Sequence, residues 1–247
     1  MKTSVQPAWV LGRRAYRDSS LLVELLTADS GRASVVVKGA HRKQRGGSFA
    51  SLMQPFCPIL VALGGQSELK YLSSAETAGV AISLPGERLF SGLYMNELLV
   101  RLLPKWDSVP QLFASYGASL VELGEKADLD LTLRRFEIAL FEELGYEIQW
   151  DSDHRGQRVK AECSYLFVAD RGFVEREQSQ SEGLLSGAEL IKLNSWYRER
   201  TALDEGARKV LKKMMRQAID YRLDGRPLKV REAFGQWRGL SQPKGDE

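Results

Sequence analysis

Hydrophobic positions in the first 80 residues fall into five short, β-rich runs, at residues 9–16, 21–27, 33–38, 56–63 and 68–78. Polar turn-formers separate them, among them Arg17-Asp18-Ser19-Ser20, Asp29-Ser30-Gly31 and Gly64-Gly65. Five short strands without a helical period between them predict a small barrel, either an OB-fold or an SH3-like relative.

The period changes near residue 83. Leu89, Leu93, Leu98, Leu99, Leu102 and Leu103 recur at helical spacing until Pro104. A second helix follows Pro110, with Leu112, Phe113, Tyr116, Leu120 and Leu123 in one stripe. A third is predicted from Leu131 to Leu144, with Asp130 as N-cap and Gly145 as stop. Residues 150–183 are irregular and polar, with a hairpin turning at Asp170-Arg171. Helices are expected again at Ser186, over 205–223, and as a short tail near 230–237. The fold class is therefore α+β. The expected division is a barrel over 1–80, a helical bundle over 81–150, and a segment over 151–247 packed on that bundle.

Charge refines this division. The net charge is +3, but residues 1–80 carry ten Lys/Arg against five Asp/Glu, residues 81–150 six against eleven, and residues 151–247 nineteen against sixteen. Basic ends around an acidic middle suit a polyanion partner for the ends and another task for the middle. The two cysteines, Cys57 and Cys163, have no metal-ligand or disulfide-framework spacing, which predicts a reducing compartment. No apolar run follows Lys2 and none reaches membrane-spanning length, so a cytoplasmic protein without signal peptide or membrane partner is expected.

The stretch from Lys38 to Ser48 combines Lys38, His41, Arg42, Lys43 and Arg45 with glycines and small residues. Such a loop can follow a phosphate backbone and displace its counterions. It can equally be a solvated hairpin loop. Phe49, Phe56 and Tyr71 lie close in sequence, as stacking faces for unpaired bases or as barrel core. A P-loop is excluded, because Gly46-Gly47-Ser48 lacks the lysine of that motif. Farther along, Arg208, Lys209, Lys212, Lys213 and Arg216 fall within a ~140° arc of a helix, opposite Val210, Leu211, Met214, Met215 and Ala218. That stripe either lies along DNA or solubilises a packed helix. Arg101, Arg134 and Arg135, beside Phe136 and Leu140, either border a groove for an acidic peptide or pair with Glu97, Glu137 and Glu142.

His41 and His154 are the only histidines, and no nucleophile–base arrangement can be assembled around them. His154 and Cys163 are too few for a structural zinc site. A non-enzymatic protein without metal or cofactor is expected.

Several ordered stretches carry a family resemblance. They are residues 16–22, 37–40, 54–56, 69–70, 74–76, 92–99 with 102–103, 133–137 with 144–146, and 226–232. In this order and spacing the chain resembles the bacterial recombination mediator RecO family along nearly its whole length. The resemblance implies an N-terminal OB-fold and a helical middle. It also implies binding to single- and double-stranded DNA, annealing of complementary strands, capture of the acidic tail of single-strand-binding protein, and action with RecR to load RecA. Nucleoid association would follow. Many relatives carry a four-cysteine zinc module where this chain keeps only Cys163, so no zinc is expected. On this basis Arg13, Arg14, Arg17 and Lys70 join the Lys38–Arg45 loop and the 208–216 stripe as candidate DNA contacts. Arg101, Arg134, Arg135, Phe136 and Leu140 become candidates for the tail. The rival reading is a protein-interaction adaptor with incidental DNA affinity.

Overall fold

The computed structural model describes residues 4–42, 48–177 and 183–241. The chain forms two compact units, one of residues 1–129 with 228–247, the other of residues 130–227.

The first unit is built on β1 (Val5–Tyr16), β2 (Ser20–Thr27), β3 (Gly31–Val37), β4 (Pro58–Gly64) and β5 (Lys70–Thr77). Their order is β1-β2-β3-β5-β4, and β4 pairs again with β1, so the sheet closes. Only the β3–β5 pair is parallel. A closed five-stranded barrel in this order is an OB-fold, and the sequence periodicity had placed all five strands. Alternate residues point inward, so Leu21, Val23, Leu25, Ala33, Val35, Val37, Ile59 and Val61 fill the barrel. A short helix unforeseen in the sequence, α1 (Phe49–Leu52), follows β3; its N-cap Ser48 accepts the Ser51 N–H, and Ala50 joins the core.

Two longer helices, α2 (Glu87–Leu102) and α3 (Pro110–Gly124), pack in the same unit. A register shift between Val10 and Gly12 leaves the Leu11 carbonyl outside the ladder. Asn96 of α2 donates to that carbonyl at 2.9 Å and accepts from the Tyr116 hydroxyl at 2.6 Å. Gly31, at φ +63°, turns under the segment after α2. A side chain there would meet the Asp107 carbonyl at 1.6 Å.

The last helix, α7 (Lys229–Ser241), belongs to this unit too. Phe90 of α2 lies 5.3 Å, centroid to centroid, from both Phe234 and Trp237. The two compact units divide at 129/130 and 227/228. α2 packs on β1 and α3 reaches Trp9 through Tyr116, while α7 joins this unit through α2.

The second unit holds α4 (Leu129–Glu143), β6 (Ser164–Val168), β7 (Gly172–Arg176), β8 (Leu185–Ser186), α5 (Gly187–Glu199) and α6 (Glu205–Arg222). The small sheet runs β7-β6-β8. Ser186 and Glu189 form a reciprocal capping box at α5. Gly145, at φ +76°, closes α4 as expected, with the Tyr146 N–H reaching back to the Phe141 carbonyl. Asp130 differs from expectation. It lies inside the first turn of α4, not before it, and pairs with Lys212 at 3.0 Å.

Candidate nucleic-acid interface

Register defines one open face of the barrel. Arg14 pairs with Leu22, Leu22 with Val36, and Val36 with Tyr71, so four strands present these side chains on one side. The intervening Leu21, Val23, Val35 and Val37 are core, which makes this side the outer one. Lys38 stands two positions after Val36 and shares its direction. Its Nζ lies 5.6 Å from the centroid of the Tyr71 ring.

The other end of this face is covered. Trp9, the partner of Leu26, meets Tyr116 edge-on at 5.9 Å. Arg32 donates to the Leu103 carbonyl at 2.9 Å, and its own carbonyl accepts the Trp106 N–H. Helical segments thus occupy one half of the β1–β2–β3 surface and leave the half around Arg14, Lys38 and Tyr71 to solvent.

Hydrogen bonds gather further cations at this end. Ala40 is buried; its N–H donates to the Ser19 carbonyl and its carbonyl accepts from Ala50. The start of the basic loop is thereby held between the β1–β2 turn and α1. His41 and Arg42 follow as exposed residues. Arg17 occupies that turn at φ +54°, its guanidinium 5.3 Å from the Tyr16 ring. Arg13 reaches the Ala50 carbonyl at 2.6 Å. Lys43 and Arg45, the centre of the expected loop, lie outside the described residues. Of the acids nearby, Glu24 is engaged by Arg32 and Ser34 and Glu68 by Lys105, while Asp18 stands exposed in the β1–β2 turn.

Lys70 is turned to an internal task. Its ammonium donates to the Gly65 carbonyl at 2.9 Å and lies 5.6 Å from the Trp106 ring. The three aromatics separate clearly. Phe56 is buried, Phe49 packs partly against the core, and Tyr71 is 45% exposed. The alternation around buried Leu72 held that distinction, since Tyr71 and Ser73 must face the opposite side.

The 208–216 stripe lies on α6 as a solvent face over buried Leu211, Met214, Met215 and Ala218. Its charges are partly balanced: Lys209 pairs with Glu205 at 2.7 Å, Lys212 with Asp130, and Arg216 with Asp220 at 3.7 Å. Arg208 donates to the Leu203 carbonyl, and Lys213 is exposed.

The tail candidates fall in both units. Arg101, in the first, pairs with Glu97 at 3.7 Å. In α4, Arg134 is buried and paired with Glu137, while Phe136 and Leu140 are fully buried. These three lie in the interior of their unit, and Arg135 is the half-exposed cation of α4.

Among the described residues, no three His, Cys, Asp or Glu side chains gather as a metal cluster, and no helix is long and apolar enough to cross a membrane. The segment before β6 is held by Asp153, whose carboxylate accepts the N–H groups of Arg155 at 2.9 Å and Gln157 at 2.8 Å. Burial alone would raise its pKa. Those two N–H groups and the neighbouring positive charge of His154 and Arg155 outweigh it and hold the carboxyl below its ordinary value.

Two family models match the chain. Recombination protein O N terminal spans residues 1–80, and Recombination protein O C terminal spans residues 85–232. The DNA repair protein RecO of Methylococcus capsulatus is 40% identical over 228 residues, 92% of this chain and 91% of that protein. That of Stutzerimonas stutzeri is 43% identical over 229 residues, 93% of this chain and 92% of its own length. The Pseudomonas aeruginosa protein is 38% identical over 233 residues, 94% of each. With the barrel order, the helices and the similarity all extending over the same residues, the chain belongs to the recombination protein O (RecO) family.

Proposed function

We propose that this protein acts in DNA repair as a non-enzymatic mediator that holds DNA on the open face of its barrel. The carrying observation is the outer rung of Arg14, Leu22, Val36 and Tyr71, with Lys38 beside it, Arg42 hydrogen-bonded through its N–H to the Gly39 carbonyl, and Arg17 in the adjoining β1–β2 turn. OB barrels use this face, across strands two and three with the adjoining loops, to take oligonucleotides. Cations there exchange for phosphate counterions, so binding is sequence-tolerant.

Strand annealing follows if two single strands are held with their base edges unshielded. The helical regions then capture the acidic tail of single-strand-binding protein, and RecR joins to promote RecA loading. Arg135 is the α4 cation best placed for the tail, because Arg134, Phe136 and Leu140 are interior. Lys43 and Arg45 extend the DNA contact in this reading, and the α6 stripe is a weaker second surface.

The test is fluorescence anisotropy of a labelled single strand across a salt series, with wild type and an Arg14→Glu/Lys38→Glu/Arg42→Glu variant. A mediator loses affinity and annealing in the triple variant while still binding an acidic, aromatic-tipped tail peptide. An adaptor keeps all its partners and shows flat, weak DNA binding in both proteins.

A further inference from the structure

We infer that Tyr71 is a base-stacking platform, which makes the barrel face a site for unpaired bases as well as for phosphate. This rests on the proposed DNA-binding face and adds the class of strand it selects.

Large aromatic side chains are ordinarily core, yet Tyr71, the second residue of β5, is 45% exposed. What supports it is glycine. Gly64 is its cross-strand partner, and a Cβ on Gly64 would lie 2.5 Å from Cζ of the Tyr71 ring. Gly65 brings the turn up beside the same ring, where a Cβ would stand 3.4 Å from Cδ1. One side of the ring therefore rests against bare backbone, and the residue stays half-exposed with Lys38 Nζ standing near the ring. Any larger residue at position 64 would push it away.

Around the ring are the groups a nucleotide needs. Lys38 Nζ stands 5.6 Å from its centroid, and Arg14 shares its rung with β2 and β3 between them. A base stacked on Tyr71 places its own phosphates among these cations. The nearest acid of the β4–β5 turn, Glu68, is paired with Lys105. A duplex offers phosphates to the same cations, but its bases are stacked on each other and cannot reach the ring. Tyr71 thus contributes to single-strand binding only, whereas Arg14 and Lys38 contribute to both.

The experiment measures full-chain affinity for an oligothymidylate and for a duplex of equal length, with wild type, Tyr71→Ala and Tyr71→Phe. Loss of one stacked base predicts about 5- to 150-fold weaker oligothymidylate binding by Tyr71→Ala, with duplex affinity and both salt slopes unchanged. Tyr71→Phe, which keeps the ring, retains wild-type affinity. Ultraviolet cross-linking of wild type to a bromodeoxyuridine-substituted strand should mark the peptide containing Tyr71, independently of any variant. Equal loss on both substrates, no loss on either, or a cross-link confined to other peptides overturns the inference. If wild type binds neither substrate, the DNA-binding reading itself is wrong, and that result is distinct from all the others.

Discussion

Glu97 caps the last helix of the chain: its two carboxylate oxygens accept the backbone N–H groups of Lys229 at 3.0 Å and Val230 at 2.9 Å. The start of a helix presents unsatisfied N–H groups and a partial positive charge, so a carboxylate there satisfies both. Residues 132 positions apart are joined in this way, and the two stretches they come from, 92–99 and 226–232, both carry the family resemblance.

Removing that cap loosens α7 from α2. Glu97→Ala is expected to cost about 1–2 kcal/mol and lower the melting temperature by about 2–8 °C. Glu97→Gln, which retains one acceptor, should fall between Ala and wild type by thermal denaturation. A melting temperature unchanged in both variants would show that α7 is held by Phe90, Phe234 and Trp237 alone.

Asn96, one residue earlier, supports the β-bulge. Asn96→Ala leaves the Leu11 carbonyl and the Tyr116 hydroxyl without the partners they have now, both in a buried setting. The expected cost is about 2–4 kcal/mol, read from urea denaturation. Tyr116→Phe in the Asn96→Ala background should add less than it does alone, because both changes break one network. Strict additivity of the two would count against that network.

Much of this fold was legible in the sequence. Strands alternate around Val23, Val35 and Val61, and α5 announces itself with Ser186 and Glu189. The candidate site was less legible, for reasons of tertiary contact. On α4, the buried set runs through Leu131, Thr132, Arg134, Phe136, Glu137, Ile138, Leu140 and Phe141. A helix buried on so much of its circumference takes its arginine inside with a neighbouring glutamate, and local composition cannot distinguish that from a rim. The arc on α6 was correct as geometry, but the carboxylate opposing Lys212 comes from Asp130, 82 positions away. Asp204 and Glu205, by contrast, sit at the start of α6 and could be read locally.

That difference sets the two basic surfaces apart experimentally. Each barrel cation that meets a phosphate adds to the dependence of binding on salt. Arg14→Ala, Lys38→Ala and Arg42→Ala should therefore each lower the slope of log affinity against log salt by about 0.7 for a single strand. On α6, Lys209, Lys212 and Arg216 must first leave Glu205, Asp130 and Asp220, so their alanine variants should change the slope by much less. Equal slope changes from both surfaces would promote α6 to a full partner in the DNA contact.

Two carboxylates in the second unit make its stability depend on acid. Asp204 caps α6 by accepting the Ala207 N–H at 2.8 Å, and Lys192 lies 2.5 Å from its other oxygen. The Ala207 hydrogen bond and that of Lys192 hold its pKa below the ordinary 3.8, despite the opposing effect of desolvation. Asp153 is lowered as well, by the N–H groups of Gln157 and Arg155 acting against burial. A carboxyl whose pKa is depressed in the folded state stabilises that state fully above its unfolded value. The contribution is lost as pH falls from 3.8 through the folded value. Melting temperature should therefore be flat in this respect above about pH 5 and decline below about pH 4. Asp153→Asn combined with Asp204→Asn should lower it at neutral pH and flatten that acid decline. A double variant with the same acid dependence as wild type would assign the decline to other carboxylates.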